Sequence, residues 1–221
     1  GAFDVTVTPL LDLWGFGPDG PKAFPDQATV DTAMARVGIE YLDWQPTTRT
    51  LTKRVPGVAL EFSSIAKGYG VDLGADALDE MGVTDYMLEI GGEIRLRGRS
   101  PRGDGWRIAI ERPDSHGRGI QAAVALTDIG VATSGDYRNY FEHQGKRYSH
   151  LIDPRSGYPV SNGVVSVSVI ADNCTLADGL ATAIMVMGAA KGIQLVNRLD
   201  NVECFIVIEN PDGRLLDFYS S

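Results

Sequence analysis

The sequence contains no unbroken apolar run of about 18 residues, so it offers no helix able to cross a membrane. It holds two cysteines, Cys174 and Cys204, too few in 221 residues for a disulfide framework. Both sit in apolar surroundings, which favours buried free thiols over a pair and leaves pairing open. Positive charge is scarce. Twenty Lys and Arg face 29 Asp and Glu, for a net charge of −9. That argues against a nucleic-acid footprint or a polybasic membrane contact. It does not argue against a phosphorylated small molecule, because a divalent cation or a helix N-terminus supplies positive charge locally. Internal repeats, low-complexity segments and a recognisable linker are all missing, as is a signal-peptide pattern. The chain opens on Gly1-Ala2-Phe3-Asp4, which already reads like the interior of a domain, and a preceding segment is expected.

What is present is an ordinary globular composition, 43% hydrophobic and 22% charged, long enough to bury a substantial core. Residues 2–11 read as a short extended segment entering a helix or turn at Pro9, with Asp4 and Thr6 capping or lining a polar edge. Residues 28–37 have helical spacing and stop at Gly38. Hairpins are predicted around Pro46-Thr47-Thr48, around Gly91-Gly92 and around residues 210–213. Further strands are predicted over 58–62, 106–112, 120–126, 129–133 and 164–171. About a dozen strands, many of them hairpin-linked neighbours, argue for antiparallel pairing and an α+β fold with three to four helices.

Residues 130–160 are dense in polar side chains between two apolar runs. An antiparallel hairpin turning at Gln144-Gly145 accounts for much of this pattern. It does not account for Ser149-His150-Leu151-Ile152-Asp153-Pro154 running into Arg155-Ser156-Gly157. His150 and Asp153, at a strand end beside a Gly/Pro turn, are placed for a site that is rigid behind and open in front. His116, in a Pro/Asp/Ser/Gly loop, and His143, near the hairpin tip, read as solvated.

Two helices carry further candidates. Residues 63–81 are helical in spacing, yet Gly68, Gly70 and Gly74 each cost roughly 1 kcal/mol relative to alanine there. Either another helix or a ligand approaches closely. Ser63, Ser64 and Lys67 at its start make a plausible diphosphate seat. Residues 172–188 form a strongly apolar helix on which Asp178 and Thr182 share one face. Singly, Asp178 reads as the return half of a Thr175-x-x-Asp178 capping box, and Thr182 as a back-bond to a helix carbonyl. As a pair they suit a Mg²⁺ site completed by substrate phosphates and water.

Six ordered stretches carry a resemblance: FDVTVTPLLDLWGFGP, SSIAKGYGVD, MLEIGGEIRLRG, ATSGDYRNYF, YSHLIDPRSGYPV and VSVSVIADNCTLADGLATAIMVMG. Together they resemble the ApbE family of FAD:protein FMN transferases over essentially the whole chain, residues 1–221. The resemblance implies an ApbE-like α+β domain with mainly antiparallel sheets, lacking an N-terminal segment that supplies further FAD contacts. It implies Mg²⁺-dependent cleavage of FAD, release of AMP and attachment of FMN to a threonine hydroxyl of an acceptor protein. Carried over by position, the metal would be held by the Ala66 carbonyl and by Asp178 and Thr182. FAD contacts would fall on Asp4, Val5, Thr6, Ser63, Tyr69 and Ile152, and the catalytic histidine would be His150. Some members carry a second aspartate where this chain has Ala181. The family's habits imply a periplasmic, lipid-anchored protein whose acceptor is a subunit of a membrane redox complex. Two other readings stay open on the residues. One is hydrolysis of FAD to FMN and AMP; the other is a flavin-binding protein without turnover.

Overall fold

The computed structural model describes residues 1–20, 22–113, 119–136 and 140–221, and the side chains of all these but Lys146 and Arg147. His116 and residues 137–139 of the ATSGDYRNYF stretch lie outside the described residues. In chain order the first elements are α1 (Thr8–Leu13), α2 (Gln27–Met34), β1 (Leu42–Gln45), β2 (Thr50–Lys53), α3 (Ser63–Glu80), β3 (Tyr86–Ile90) and β4 (Glu93–Arg97). There follow β5 (Trp106–Glu111), β6 (Ile120–Leu126), β7 (Gly130–Gly135), β8 (Tyr140–His143), β9 (Lys146–Ser149), β10 (Ile152–Asp153) and β11 (Tyr158–Pro159). The chain closes with β12 (Val164–Ala171), α4 (Cys174–Met187), α5 (Ala189–Val196), β13 (Glu203–Glu209) and β14 (Leu215–Tyr219). The class is α+β, and among the described residues every strand pairing is antiparallel.

The chain divides into two compact units. The first joins Gly1–Phe62 to Asn139–Ser161. Its core is Leu10, Trp14, Val30, Ala33, Val37 and Ile152, with Phe16, Phe141, Tyr148 and Tyr158 packed on it. Pro9 in the first turn of α1 forfeits no helical bond, since that N–H has no intrahelical partner. Trp14 is fixed by its indole N–H, which donates to the Gly157 carbonyl at 2.8 Å. The β8–β9 hairpin turns at Gln144-Gly145 as expected, both residues having positive φ. His143 differs from expectation: it is half-buried, and its ring stacks on Phe24 with centroids 4.4 Å apart. Residues 58–62, expected as a strand, have no regular structure. Glu61 N–H bonds the Val5 carbonyl at 2.7 Å, but one bond is not a ladder, and apolar Val58 is buried without strand pairing.

The second unit joins Ser63–Arg138 to Asn162–Ser221. Its six-stranded sheet runs β14-β13-β12-β7-β4-β3. β12 is the buried spine: Val167 and Val169 are fully buried, and Ser166 and Ser168 nearly so. Ser168 meets its burial requirement through Thr133 Oγ1, 2.8 Å away on the register-paired strand β7. α3 packs on α4, and α4 packs on β12 and β7. The β5–β6 hairpin forms a separate two-stranded sheet. Between it and the main sheet lies a cavity of about 270 Å³, lined by Ile108, Ile110 and Val124 from the hairpin and by Ser168, Ile170 and Cys204 from the sheet. Cys174 and Cys204 are buried free thiols, and burial with nearby Asp72 and Glu93 pushes Cys174 up to about 12.

Candidate active site

The candidate residues of the second unit gather where the start of α3 meets the start of α4. The contact depends on Gly68. A Cβ there would come within 2.5 Å of the Cys174 carbonyl oxygen and 2.9 Å of Asp178 Cβ, so only glycine lets the helices close. The glycines that look out of place in a helix therefore serve helix packing at position 68, and packing on Leu88 at position 74.

Closure lets two aspartates bond from one helix to the other. Asp178, 2% exposed, accepts the Gly68 N–H on Oδ2 at 3.0 Å. Asp72 takes the Cys174 N–H at 2.9 Å, the Thr175 N–H at 2.8 Å and the Thr175 hydroxyl at 2.5 Å. This corrects the capping-box reading. The start of α4 is capped by Asn173, whose Oδ1 accepts from Leu176 N–H, and by Asp72 from α3. Asp178 serves α3 instead. Thr182 Oγ1 lies 3.2 Å from Ser134 Oγ on β7, so its hydroxyl reaches the sheet.

The β3–β4 turn completes the cluster. Gly91 and Gly92 both have positive φ, as a tight two-residue hairpin requires. Straight after them Glu93, 1% exposed, pairs through Oε1 with Lys67 Nζ at 2.5 Å. Its Oε2 is buried without a hydrogen-bond partner. Burial raises the Glu93 carboxyl above the usual range; Lys67 pulls it back and the charge of Asp178 pushes it further up. Asp178 is likewise raised by burial, with the Gly68 N–H and Lys67 acting against the rise. Two buried carboxylates and one lysine thus share a poorly hydrated corner.

Ala66 and Lys67 lie one residue apart on the exposed side of this first turn of α3, with Ser63 as its first residue and Tyr69 56% exposed. A hard divalent cation takes oxygen donors. The Ala66 carbonyl, the Asp178 carboxylate and the Thr182 hydroxyl are all oxygen donors, and added positive charge would offset the burial that both carboxylates suffer. Among the described residues no three His, Cys, Asp or Glu converge as a metal cluster. Ala66, Asp178 and Thr182 offer the hard oxygen donor type that Mg²⁺ takes alongside substrate oxygens and water.

The first unit holds the other candidates. Asp4 accepts the Thr6 N–H at 2.9 Å and the Thr6 hydroxyl at 2.6 Å on Oδ1, and the Ile39 N–H at 3.2 Å on Oδ2. Thr6, fully buried, accepts the Gly38 N–H at 2.7 Å. These two side chains tie down residues 38 and 39, and the Val5 carbonyl ties down Glu61. Ile152 puts its side chain into the core and pairs through its backbone with Pro159. His150 follows β9, half-buried, with its ring 6.3 Å from that of Phe16 in an edge-on arrangement. Asp153 behind it is bound by Arg155 through both oxygens, at 2.8 and 2.7 Å, leaving it a structural brace for the turn.

Sequence reasoning overlooked Glu93 and Asp72. Glu93 carried a faint signal, an acidic residue leading a strand directly after a Gly-Gly turn. Asp72 lies four residues after Gly68 and so shares its helix face.

The helix junction thus brings oxygen donors and a lysine together. The ApbE family model matches residues 1–206, and the chain belongs to the ApbE family. An FAD:protein FMN transferase of Vibrio cholerae is 47% identical over 214 residues, covering 96% of this chain and 63% of that protein. One from Haemophilus influenzae is 42% identical over 217 residues, covering 96% and 62%. The chain therefore spans less than two thirds of the length of these curated relatives. Among solved structures, the flavin transferase ApbE of Vibrio cholerae superposes with a TM-score of 0.88 at 44% identity, covering all of this chain and 69% of that one. The apo form of the flavinyl transferase ApbE of Pseudomonas stutzeri does so with a TM-score of 0.87 at 43% identity, covering all of this chain and 67% of that one.

Proposed function

We propose that this chain carries the transferase chemistry of its relatives, moving FMN from FAD to a threonine hydroxyl of an acceptor protein and releasing AMP. The observation that carries the reading is Asp178: a carboxylate 2% exposed, on an otherwise apolar helix, given one hydrogen bond by the first turn of α3. Family membership supports FAD as substrate and a protein as acceptor.

In this reading Ala66, Asp178 and Thr182 would hold Mg²⁺, which supplies charge neutralisation at the phosphates when bound. Ser63 and Tyr69 on α3, and residues 4–6 with Ile152, would bind the FAD. His150 takes the proton from the threonine hydroxyl as that oxygen bonds to the FMN phosphorus. The diphosphate bond breaks and AMP departs with the bridging oxygen. Imidazole is a side chain suited to moving a proton near neutral pH. A periplasmic, lipid-anchored setting and a membrane redox subunit as acceptor rest on the resemblance; cell fractionation of the native protein tests the first, and a cytoplasmic result would refute it.

The deciding experiment is intact-mass spectrometry of a threonine-containing acceptor incubated with the chain, FAD and Mg²⁺, beside His150→Ala. A gain equal to FMN minus water, lost in the variant, is expected. AMP release without a gain, on an acceptor known to be flavinylated by a relative, would replace transfer with hydrolysis. Retained FAD without AMP would leave only flavin binding.

A further inference from the structure

Glu93 has a cost that the fold does not explain. A carboxylate 1% exposed with one oxygen unpartnered is expensive to bury, and Lys67, the partner of its other oxygen, keeps 44% of its own side chain exposed. Lys67 could reach water without it. Its stem is held close to the β3–β4 turn, where a Cβ on Gly91 would come within 3.2 Å of Lys67 Cδ. Lys67 also stands directly before Gly68, whose N–H grips Asp178. Its charge is felt by both carboxylates. A lysine in that position is a built-in competitor for any cation at Asp178.

We propose that Glu93 is a positioning residue that holds the Lys67 ammonium away from Asp178 and so keeps the Asp178 carboxylate available to a divalent cation. The inference rests on the reading of Asp178 as a cation ligand. It explains why the Lys67 contact is made to the strand and not to the helix carboxylate. Without the Glu93 charge, the same flexible stem is free to bring the ammonium toward Asp178, whose carboxylate already feels its charge. Glu93 acts here through Lys67 and need not touch the cation.

The test is Mn²⁺ binding to the flavin-free chain, followed by the electron paramagnetic resonance of the free ion. Glu93→Gln keeps the shape and removes the charge. It should weaken Mn²⁺ binding roughly tenfold, the low end for loss of a group supporting a metal ligand. Adding Lys67→Met to Glu93→Gln removes the competitor and should restore most of that loss, and Lys67→Met alone should not weaken binding. Such a cycle separates guarding from general damage, since a merely structural defect at position 93 is not repaired by removing Lys67. Thermal unfolding of each variant confirms the folded state. If only the double variant folds, near-normal Mn²⁺ affinity in it supports the proposal and a tenfold loss overturns it. Normal affinity in Glu93→Gln, or a double variant as weak as Glu93→Gln, also overturns it. Mn²⁺ uptake that is absent, or undiminished by Asp178→Ala, overturns the cation reading and the guarding role with it.

Discussion

Residues 4–6 and the α3–α4 junction each bring together an aspartate and a threonine, and the two aspartates use their oxygens differently. Asp4 receives two donors from Thr6 and one from Ile39, all at the edge of a small turn. Asp178 is nearly inaccessible and receives one donor, from Gly68. A carboxylate surrounded by donors is already compensated and holds the chain in shape. A buried carboxylate with one donor, next to a second buried carboxylate, is improved by whatever positive charge arrives. The difference separates a carboxylate already compensated by donors from one that a cation would compensate.

The sharpest way to break the comparison is to remove each aspartate in turn. Asp178→Ala should lower FMN transfer by a factor on the order of 10² or more and abolish its Mg²⁺ dependence, read by acceptor mass at varied Mg²⁺. Asp4→Ala should leave the Mg²⁺ midpoint unchanged while lowering the melting temperature, since it frees three donors. If Asp4→Ala shifts the Mg²⁺ midpoint as far as Asp178→Ala does, the distinction fails.

Next in size are two glycines of one helix. Gly68→Ala drives a methyl into the backbone of α4 and should cost about 1–3 kcal/mol, by denaturant midpoint. Gly70→Ala meets only Ile90 Cδ1 at 3.7 Å and should be neutral or stabilising by up to roughly 1 kcal/mol. Equal effects at both positions would mean that helix contact does not set the requirement at 68.

The thiols offer a subtler contrast with the carboxylates. Cys174, pushed up to about 12 by burial, should resist a thiol reagent at pH 8 until the chain unfolds. Prompt labelling in the native state would show that the junction opens.

The smallest effect belongs to Asp26, the exposed cap of α2. The Thr29 hydroxyl and N–H hold its carboxyl below the ordinary value. A folded-state pKa lower than the unfolded one contributes stability that is present above about pH 4 and is lost as pH falls through the folded value. Asp26→Ala should therefore shift the melting temperature slightly at pH 7 and by less at pH 2. A shift of the same size at both would assign the effect to something other than this carboxylate.

Much of the fold was legible because its signals are local. Gly91-Gly92 and Gln144-Gly145 announce their turns, and β13 and β14 follow from alternation around residues 210–213. Asp178 and Thr182 were legible as a pair because helical spacing puts them on one face. Their partners were not. Gly68 is 110 residues from Asp178, and Asp72 is 103 from Thr175. Nothing in a local window says that the cap of α4 comes from α3, so the capping box looked complete without it. Residues 58–62 misled for a related reason: a short apolar run reads as a strand, although Val58 is buried by packing alone. Ile152 shows the reverse limit, since its place in the core depends on α1 and α2.

The cavity beneath the β5–β6 hairpin leaves one side of the second unit less tightly packed than the other. The cavity, about 270 Å³, opens to solvent and is lined mainly by apolar side chains, so the hairpin rests on the sheet with fewer contacts than a filled core would give. The helix side has no comparable slack at Gly68, where the backbones already touch. Rising pressure should therefore disturb the methyl groups of Ile108, Ile110 and Val124 before those around Asp178. Methyl NMR under pressure would show that order, and simultaneous change on both sides would contradict it. The unit would then answer pressure by loosening its hairpin before its helix junction.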